Sequence, residues 1–153
     1  MSDQRPIPQD DWETVVESVP IVSVDLVVRR GDAVLLGRRT NEPAKGRWFV
    51  PGGRVHRDER LADAVHRVAD EELGVEVDIK RRLGAYEHFW AVSDTEDTDG
   101  KHYVPVGFVV TTDDDIHTDA QHDAVRWFSP PFDDVDLHPY VHDYLADAEL
   151  VGE

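Results

Sequence analysis

The sequence predicts an α/β fold in which a mixed β-sheet is sandwiched between α-helices. Segments rich in β-branched residues alternate with segments whose apolar residues recur every three or four positions, as in amphipathic helices. The 153 residues have the length of about one domain, and the 40% hydrophobic content is enough for a core. We therefore expect residues 1–153 to form a single domain of strands and two or three helices.

The first part of the chain is predicted to hold an irregular lead-in, a helix and a hairpin. Residues 1–11 are polar and contain two prolines, which favours irregular structure. A helix that ends at Pro20 follows, because apolar residues then recur at helical spacing. The strand Ile21–Val28, the turn Arg30–Asp32 and the strand Ala33–Leu36 form a hairpin pattern. The helical stripe consists of Trp12, Val15, Val16 and Val19.

The middle of the chain is predicted to form a loop, a short strand and the longest helix. Residues 38–46 form the loop and Arg47–Val50 the strand. The helix covers Leu61–Leu73 and ends at Gly74, a typical C-terminal residue. Its predicted buried stripe is Leu61, Ala64, Val65, Val68, Ala69 and Leu73.

Further strands and a closing helix are predicted in the second half. The acidic run at 93–100 is expected to be a loop within the domain, because strand patterns flank it closely. Residues His138–Leu150 have the pattern of a final helix. The predicted strands are Val75–Asp78, Leu83–Trp90, His102–Thr111 and Ala124–Phe128.

Composition excludes several functional classes. The formal charge is -17, which argues against nucleic-acid binding because phosphate backbones require a basic surface. Such an acidic, lysine-poor composition resembles proteins of salt-loving archaea, and an acidic surface in an ordinary cytoplasm is the alternative. The sequence shows no signal-peptide pattern and no run near ~18 apolar residues, so we expect a cytoplasmic protein that does not span a membrane. It contains no cysteine, which excludes disulfides and thiolate metal ligands.

The stretch from Trp48 to Val75 indicates a metal-diphosphate site. A glycine turn precedes the predicted helix, and glycines let a backbone approach a ligand closely. Glu71 and Glu72 border the apolar stripe of that helix and offer the oxygen ligands that Mg²⁺ prefers. A solvated helix edge is the alternative interpretation of this pair. A glutamate at position 68 would lie on the neighbouring part of the same face, but the chain has Val68.

Residues 53–75 resemble the signature of the Nudix hydrolases. That signature is glycine, five residues, glutamate, seven residues, arginine-glutamate, an apolar residue, any residue, two glutamates, any residue, glycine and an apolar residue. The chain departs from it at Val68, which replaces the glutamate after the arginine, and Ala69 is a weak match. The matching positions are Gly53, Glu59, Arg67, Glu71, Glu72, Gly74 and Val75.

The similarity extends to one Nudix subfamily, the GDP-mannose mannosyl hydrolases, some of which lack the same glutamate. It covers most of residues 12–128 in the segments TVVESVPIVSVD, LLGRRTNEPAKGRWFVPGGRV, EHFW, HYVPVGF and AQHDAVRW. The resemblance implies hydrolysis of a GDP-hexose at the sugar carbon, with inversion, to GDP and free hexose. Attack at carbon needs a base and a stabilised diphosphate leaving group rather than several metals around phosphorus.

The resemblance also implies a ligand set and a base. Mg²⁺, with Mn²⁺ as the alternative, is expected on Glu72, the Gly52 carbonyl and the side chain of Gln121, with Glu71 as a neighbouring carboxylate. His122 is expected to be the general base, since imidazole titrates near neutrality. A homodimer is implied as well, with the stripe at 12–19 either in its interface or covering the monomer core.

Cations and polar groups are expected around the substrate. Arginine binds phosphate through forked hydrogen bonds, and Arg67 has the alternative role of orienting Glu71 or Glu72. Asp25 and His88 are expected near the sugar, with a strand-end charge and an ordinary strand histidine as alternatives. Tyr103 is expected near the phosphates or sugar. The diphosphate cations are Arg39, Arg54 and Arg67.

Two other functions compete with this hypothesis. One is a Nudix diphosphatase that cleaves the P–O–P bond of a nucleotide sugar or ADP-ribose. The other is a catalytically silent Nudix domain that binds a nucleotide as a sensor. Val125, where the subfamily can carry an aromatic residue, and the acidic residues at 93–100 indicate that sugar or base selectivity differs from that of relatives.

Overall fold

The computed structural model describes residues 7–38, 46–90, 100–116, 125–132 and 137–150. Within these ranges, no helix combines the length and the apolar character required to span a membrane. The helices are α1 (Gln9–Ser18), α2 (Leu61–Leu73) and α3 (Pro139–Asp147). The strands are β1 (Ile21–Arg30), β2 (Ala33–Arg38), β3 (Trp48–Phe49), β4 (Gly52–Arg54), β5 (Asp78–Ala85), β6 (His88–Trp90), β7 (Lys101–Thr111) and β8 (Val125–Phe128).

The described strands form one mixed sheet with β1 near its centre. The main strand order is β3-β2-β1-β7-β5, and β4, β6 and β8 pair with β1, β7 and β2 respectively. The pair β1 and β7 is parallel, with Asp25 opposite Gly107. On its other edge β1 pairs antiparallel with β4, which places the same Asp25 opposite Gly52.

Helices cover both faces of the sheet, which confirms the predicted α/β architecture. Alternate side chains of a strand point to opposite faces. On β1, Val24, Leu26 and Val28 pack in the cluster that includes α2. Val27 packs in the second cluster, together with α3 residues. The sheet therefore has an α2 face and an α3 face, each with its own buried cluster.

The first hairpin and the longest helix confirm their sequence predictions. Strands β1 and β2 pair antiparallel up to Arg30 opposite Ala33, and Gly31 in the turn has φ +63°. Helix α2 has the predicted bounds, and Gly74 adopts the left-handed conformation with its N–H bonded to the end of the helix. Both features use glycine where another side chain would be strained.

Three boundary predictions were wrong. Helix α1 begins at Gln9, within the expected lead-in, because Asp10 and Asp11 lie in its first turn, where the helix dipole favours negative charge. Val75–Val77, predicted to begin a strand, lie outside one. The predicted strand Leu83–Trp90 is interrupted at residues 86 and 87, between β5 and β6. The glycine turn contains the short strand β4. Residues 39–45, 93–99 and Ala124, which bear on predicted loops and a strand start, lie outside the described residues.

Candidate functional site

A cavity of about 110 Å³ opens on the α3 face of the sheet. Asp25 and Ser23 on β1 point into it, together with Tyr103 of β7, which follows the same alternation as Gly107 on that face. It is a mixed polar and aromatic space, of the kind that binds a small polar molecule with an apolar ring face. Its walls are Ser23, Asp25, Phe49, Val50, Gly52, Gly53, Arg54, His88, Trp90 and Tyr103.

Asp25 is a buried carboxylate held between two strands and one helix. Its side chain lies in the middle of β1 and is 7% exposed. The Tyr144 hydroxyl on α3 donates a hydrogen bond of 2.5 Å to Asp25 Oδ2. A Cβ atom on Gly52 would overlap Asp25 Oδ1, so the glycine leaves the space that this oxygen occupies. The alternative of a solvated strand-end charge does not fit this buried position.

His88 lies in the wall of the cavity as a buried, neutral imidazole. Its ring stacks on Tyr140 of α3 with centroids 3.9 Å apart and planes 3° apart. Burial, together with the nearby His138, lowers the pKa of His88 to about 4. Near neutral pH this side chain therefore offers a hydrogen bond rather than a charge.

Two cationic side chains, Arg54 and Lys101, lie close to the aromatic rings of Trp12 and Tyr103 at one side of the cavity. Arg54 lines the cavity and lies with its guanidinium carbon 6.0 Å from the Trp12 ring centroid. Lys101 is 7% exposed, with Nζ 5.2 Å from the same centroid. Its Nζ is 3.4 Å from the Tyr103 hydroxyl, to which it donates a hydrogen bond. The cations Arg54 and Lys101 therefore lie near Tyr103, where the sequence predicts the phosphates or the sugar.

Arg67 on α2 is engaged by protein groups. It donates to Glu59 Oε2 at 2.8 Å and to Glu59 Oε1 at 3.0 Å, to the Arg54 carbonyl at 2.7 Å and to Glu71 Oε2 at 3.0 Å. Burial alone would raise the pKa of Glu59, but the bonds from Arg67 and from the His56 N–H outweigh it and leave the pKa lowered. The hydrogen bond to Glu59 raises the pKa of Arg67 despite its burial. This geometry favours the alternative role, in which Arg67 orients Glu71.

Val68 occupies the α2 position of the missing carboxylate. It is 1% exposed and belongs to the cluster on the α2 face. A Cβ atom on Gly53 would lie 3.0 Å from Val68 Cγ2, so the valine packs directly against the glycine turn. The helix therefore presents methyl groups to β4 at this point. Glu71 and Glu72 are exposed one turn further along, and neither lines the cavity.

The metal prediction fits the chemistry of the donors only in part. Carboxylate and carbonyl oxygens at Glu72, Glu71 and Gly52 suit a hard cation such as Mg²⁺. Over the described ranges, no group of three or more His, Asp or Glu side chains could hold a metal ion. A Mg²⁺ ion would therefore need oxygen ligands from elsewhere, such as Gln121 or substrate phosphates.

Three predicted site residues lie outside the described residues. They are Arg39, Gln121 and His122. Their assigned roles on the diphosphate, the metal and the attacking water stay predictions. Of the other predicted residues, the structure brings Asp25, Gly52, Arg54, His88 and Tyr103 to one cavity, and it places Arg67, Glu71 and Glu72 on α2.

Sequence reasoning missed the α3 and aromatic contributions. Tyr144 is 119 positions from its partner Asp25, and no spacing rule links them. Trp90 lines the cavity, and Phe49 contacts its ring edge to face with centroids 5.7 Å apart. Lys101 had one available signal, since it is one of three lysines in an acidic chain and directly precedes a predicted strand.

The comparisons with known proteins identify the family. The protein-family model of the NUDIX domain matches residues 19–144 of the sequence. The chain therefore belongs to the Nudix family and is a Nudix hydrolase, a class that acts on small nucleotide derivatives and generally uses divalent metals such as Mg²⁺.

Two relatives and one solved structure are similar to this chain over different parts of its length. The chain is 56% identical over 140 residues to the low-salt glycan biosynthesis protein Agl8 of Haloferax volcanii, covering 91% of this chain and 88% of that protein. It is 39% identical over 67 residues to the ADP-ribose pyrophosphatase of Methanocaldococcus jannaschii, covering 44% of this chain and 40% of that protein. The MutT NUDIX hydrolase structure from Burkholderia pseudomallei has a TM-score of 0.64 at 25% identity, with 84% of this chain and 97% of that chain covered.

Proposed function

We propose that the protein hydrolyses a GDP-hexose, with GDP-mannose as the expected substrate, at the sugar C1 to give GDP and free hexose. The base is His122, which takes a proton from a water that attacks C1 on the face opposite the diphosphate. The C1–oxygen bond breaks, and its electron pair leaves with GDP. Inversion at C1 follows from this direction of attack.

The single observation that carries the proposal is the buried Val68 against Gly53. Attack at phosphorus is helped by several metals and carboxylates near an already anionic centre. Here two methyl groups stand where the signature has a carboxylate. The loss of that ligand is compatible with attack at an uncharged sugar carbon, where stabilisation of the leaving diphosphate is the main requirement.

The cavity supports a sugar substrate. Asp25 and His88 present an acceptor and a neutral imidazole, both suited to hydroxyl groups, beside aromatic walls. The similarity to the low-salt glycan biosynthesis protein of Haloferax volcanii is also in keeping with sugar chemistry.

The leaving group requires positive charge. Arg54 lines the cavity, and we propose that Arg39 joins it on the diphosphate. A bound Mg²⁺, held by Glu72, the Gly52 carbonyl and Gln121 with Glu71 nearby, would neutralise the charge that develops on the departing diphosphate. Arg67 contributes by fixing Glu71 through their 3.0 Å contact.

A second candidate is a diphosphatase that cleaves the P–O–P bond. Part of the chain is similar to an ADP-ribose pyrophosphatase, and Glu59, Arg67, Glu71 and Glu72 of the signature are all present. The third candidate is a catalytically silent Nudix domain that binds a nucleotide. Turnover of any substrate would reject it.

Product analysis separates these functions. Incubation of the protein with GDP-mannose and Mg²⁺ is expected to release GDP and mannose, whereas GMP and mannose 1-phosphate contradict the proposal. In ¹⁸O-labelled water the label should enter mannose, and label in phosphate would indicate attack at phosphorus. The same assay with ADP-ribose tests the second candidate directly.

The base assignment has its own test. His122→Ala should lower turnover by about 10²-fold or more while GDP binding is largely kept, because the imidazole acts on water rather than on the nucleotide. Unchanged turnover would reject His122 as the base. Val68→Glu is expected to give no gain in mannose release, and a substantial gain would count against attack at carbon.

A further inference from the structure

We propose that Tyr144 is a positioning residue of the active site, which fixes one oxygen of the Asp25 carboxylate so that the other faces the substrate cavity. The two side chains belong to different ends of the chain and meet through a 2.5 Å hydrogen bond in the interior. The inference rests on the proposed function only for the sugar-bearing substrate used to test it.

Two glycines make this arrangement possible. Asp25 has Gly107 opposite it on β7 and Gly52 opposite it on β4. A Cβ atom on Gly107 would lie 3.0 Å and 3.2 Å from two ring atoms of Tyr144, so the missing side chain makes room for the phenol. A Cβ atom on Gly52 would overlap Asp25 Oδ1 on the cavity side. Oδ2 of Asp25 therefore contacts the Tyr144 hydroxyl, whereas Oδ1 lies beside Gly52.

The phenol is a permanent donor to the carboxylate. Tyr144 is fully buried, and burial, the charge of Asp25 and their hydrogen bond all raise the pKa of its hydroxyl. The hydroxyl consequently stays protonated near neutral pH and acts as the donor. A bond from a neutral donor to an ionised acceptor is among the stronger hydrogen bonds in proteins and restricts rotation of the carboxylate.

The ring of Tyr144 is itself fixed by its neighbours. Tyr86 contacts it edge to face with centroids 4.5 Å apart. The Tyr86 hydroxyl donates to Asp147 Oδ2 at 2.6 Å, at an exposed position. Tyr86 thus supplies the same kind of bond in the same aromatic group without reaching Asp25, which makes it a matched control.

The test compares Tyr144→Phe with Tyr86→Phe in the full chain. We measure kcat and KM for GDP-mannose, and the affinity for GDP by calorimetry with Mg²⁺. Tyr144→Phe should lower kcat/KM about tenfold or more, because a bond to a charged group is lost, while the GDP affinity stays within about twofold. Tyr86→Phe should leave both quantities near those of the unmodified protein.

A double-variant cycle with Asp25→Asn tests whether Tyr144 acts through Asp25. Once the carboxylate is replaced, Tyr144→Phe should cause little further loss in kcat/KM. Equal activity of Tyr144→Phe and the unmodified protein, additive losses in the cycle, or a parallel fall in GDP affinity would each overturn the inference. Thermal unfolding of every variant identifies loss through misfolding, and if Tyr144→Phe alone unfolds, the comparison in the Asp25→Asn background decides.

The identity of the products distinguishes failure of the proposed function from failure of the role proposed for Tyr144. Release of GMP and mannose 1-phosphate by the unmodified protein would reject attack at C1 but leave the effect of Tyr144→Phe measurable on the same substrate. If no turnover occurs, the affinities for GDP-mannose and GDP replace the kinetic constants. In that case Tyr144→Phe should weaken binding of the nucleotide sugar only.

Discussion

The two faces of the sheet hold their charged groups in different ways. On the α2 face, Arg67 joins Glu59 and Glu71 in a network at 11%, 7% and 43% side-chain exposure. On the α3 face, Asp25 is held by the neutral hydroxyl of the fully buried Tyr144. An arginine that bonds to two carboxylates fixes them for work on phosphate or metal, whereas the Tyr144 hydroxyl restricts the orientation of a single carboxylate in the cavity wall.

Strand β4 connects these two regions. Its Gly53 packs on Val68 of α2, and its Gly52 borders Asp25 and the cavity. A substrate whose diphosphate lies near α2 and whose sugar lies in the cavity would cross this strand. The glycines therefore lie where both halves of the proposed reaction meet, and the following variants test the two regions against each other.

The largest effect is expected from Gly52→Ala. The added methyl would overlap Asp25 Oδ1 and lie 2.8 Å from the Val24 carbonyl, so the wall of the cavity must shift. A displacement of this kind should reduce kcat/KM on the order of 10²-fold. Gly74→Ala is the control, since it adds strain at φ +67° but meets no atom within 4 Å. It should cost about 1 kcal/mol of unfolding free energy and spare activity. Equal activity losses would contradict the role of Gly52.

Arg67→Met should mainly reduce stability. Removal of the guanidinium leaves the 7% exposed Glu59 carboxylate without its principal partner. Loss of one member of a buried ion pair costs about 3 kcal/mol, measurable by urea unfolding. Glu59→Gln in the same background should recover part of that loss, because the uncompensated charge is removed. A recovery of zero would show that the network contributes through packing alone.

His88→Gln tests the α3 face through pH. Because the folded pKa of about 4 lies below the ordinary 6.5, the unfolded chain takes up a proton first as the pH falls. The contribution of His88 to stability is therefore complete above pH 6.5 and is lost between 6.5 and about 4, at up to roughly 1.4 kcal/mol per pH unit. The difference in unfolding free energy between the protein and the variant should shrink over that window. A constant difference would refute a neutral buried imidazole.

The smallest effect is expected from Glu71→Gln. Glu71 is 43% exposed and contacts Arg67 four positions away on the helix. Such an exposed pair stabilises a helix by about 0.3–0.5 kcal/mol, and salt screens it. Thermal unfolding at low and high salt should show this small, salt-sensitive difference. A loss of stability as large as that of Arg67→Met would contradict a weak, solvent-exposed contact between Glu71 and Arg67.

The α2 region could be predicted from sequence because its contacts are local. Glu59, Arg67 and Glu71 lie within thirteen consecutive positions of the Nudix signature, and the periodicity of α2 gives its bounds. The contact between Asp25 and Tyr144 depends on strand order and on two glycines, which no local pattern encodes. The start of α1 was missed because its polar first turn carries no apolar periodicity. Gln121 and His122 lie outside the described residues, so their roles as metal ligand and base stay predictions.

The 119 positions between Asp25 and Tyr144 also bear on how the protein assembles. Contacts of high sequence separation carry a large loop-closure entropy and tend to form late in folding. During synthesis, β1 leaves the ribosome long before α3, so the partner of its carboxylate arrives last. The hydrogen bond that holds Asp25 in the cavity wall forms only when α3 docks, so placement of this carboxylate requires both β1 and α3 to have folded.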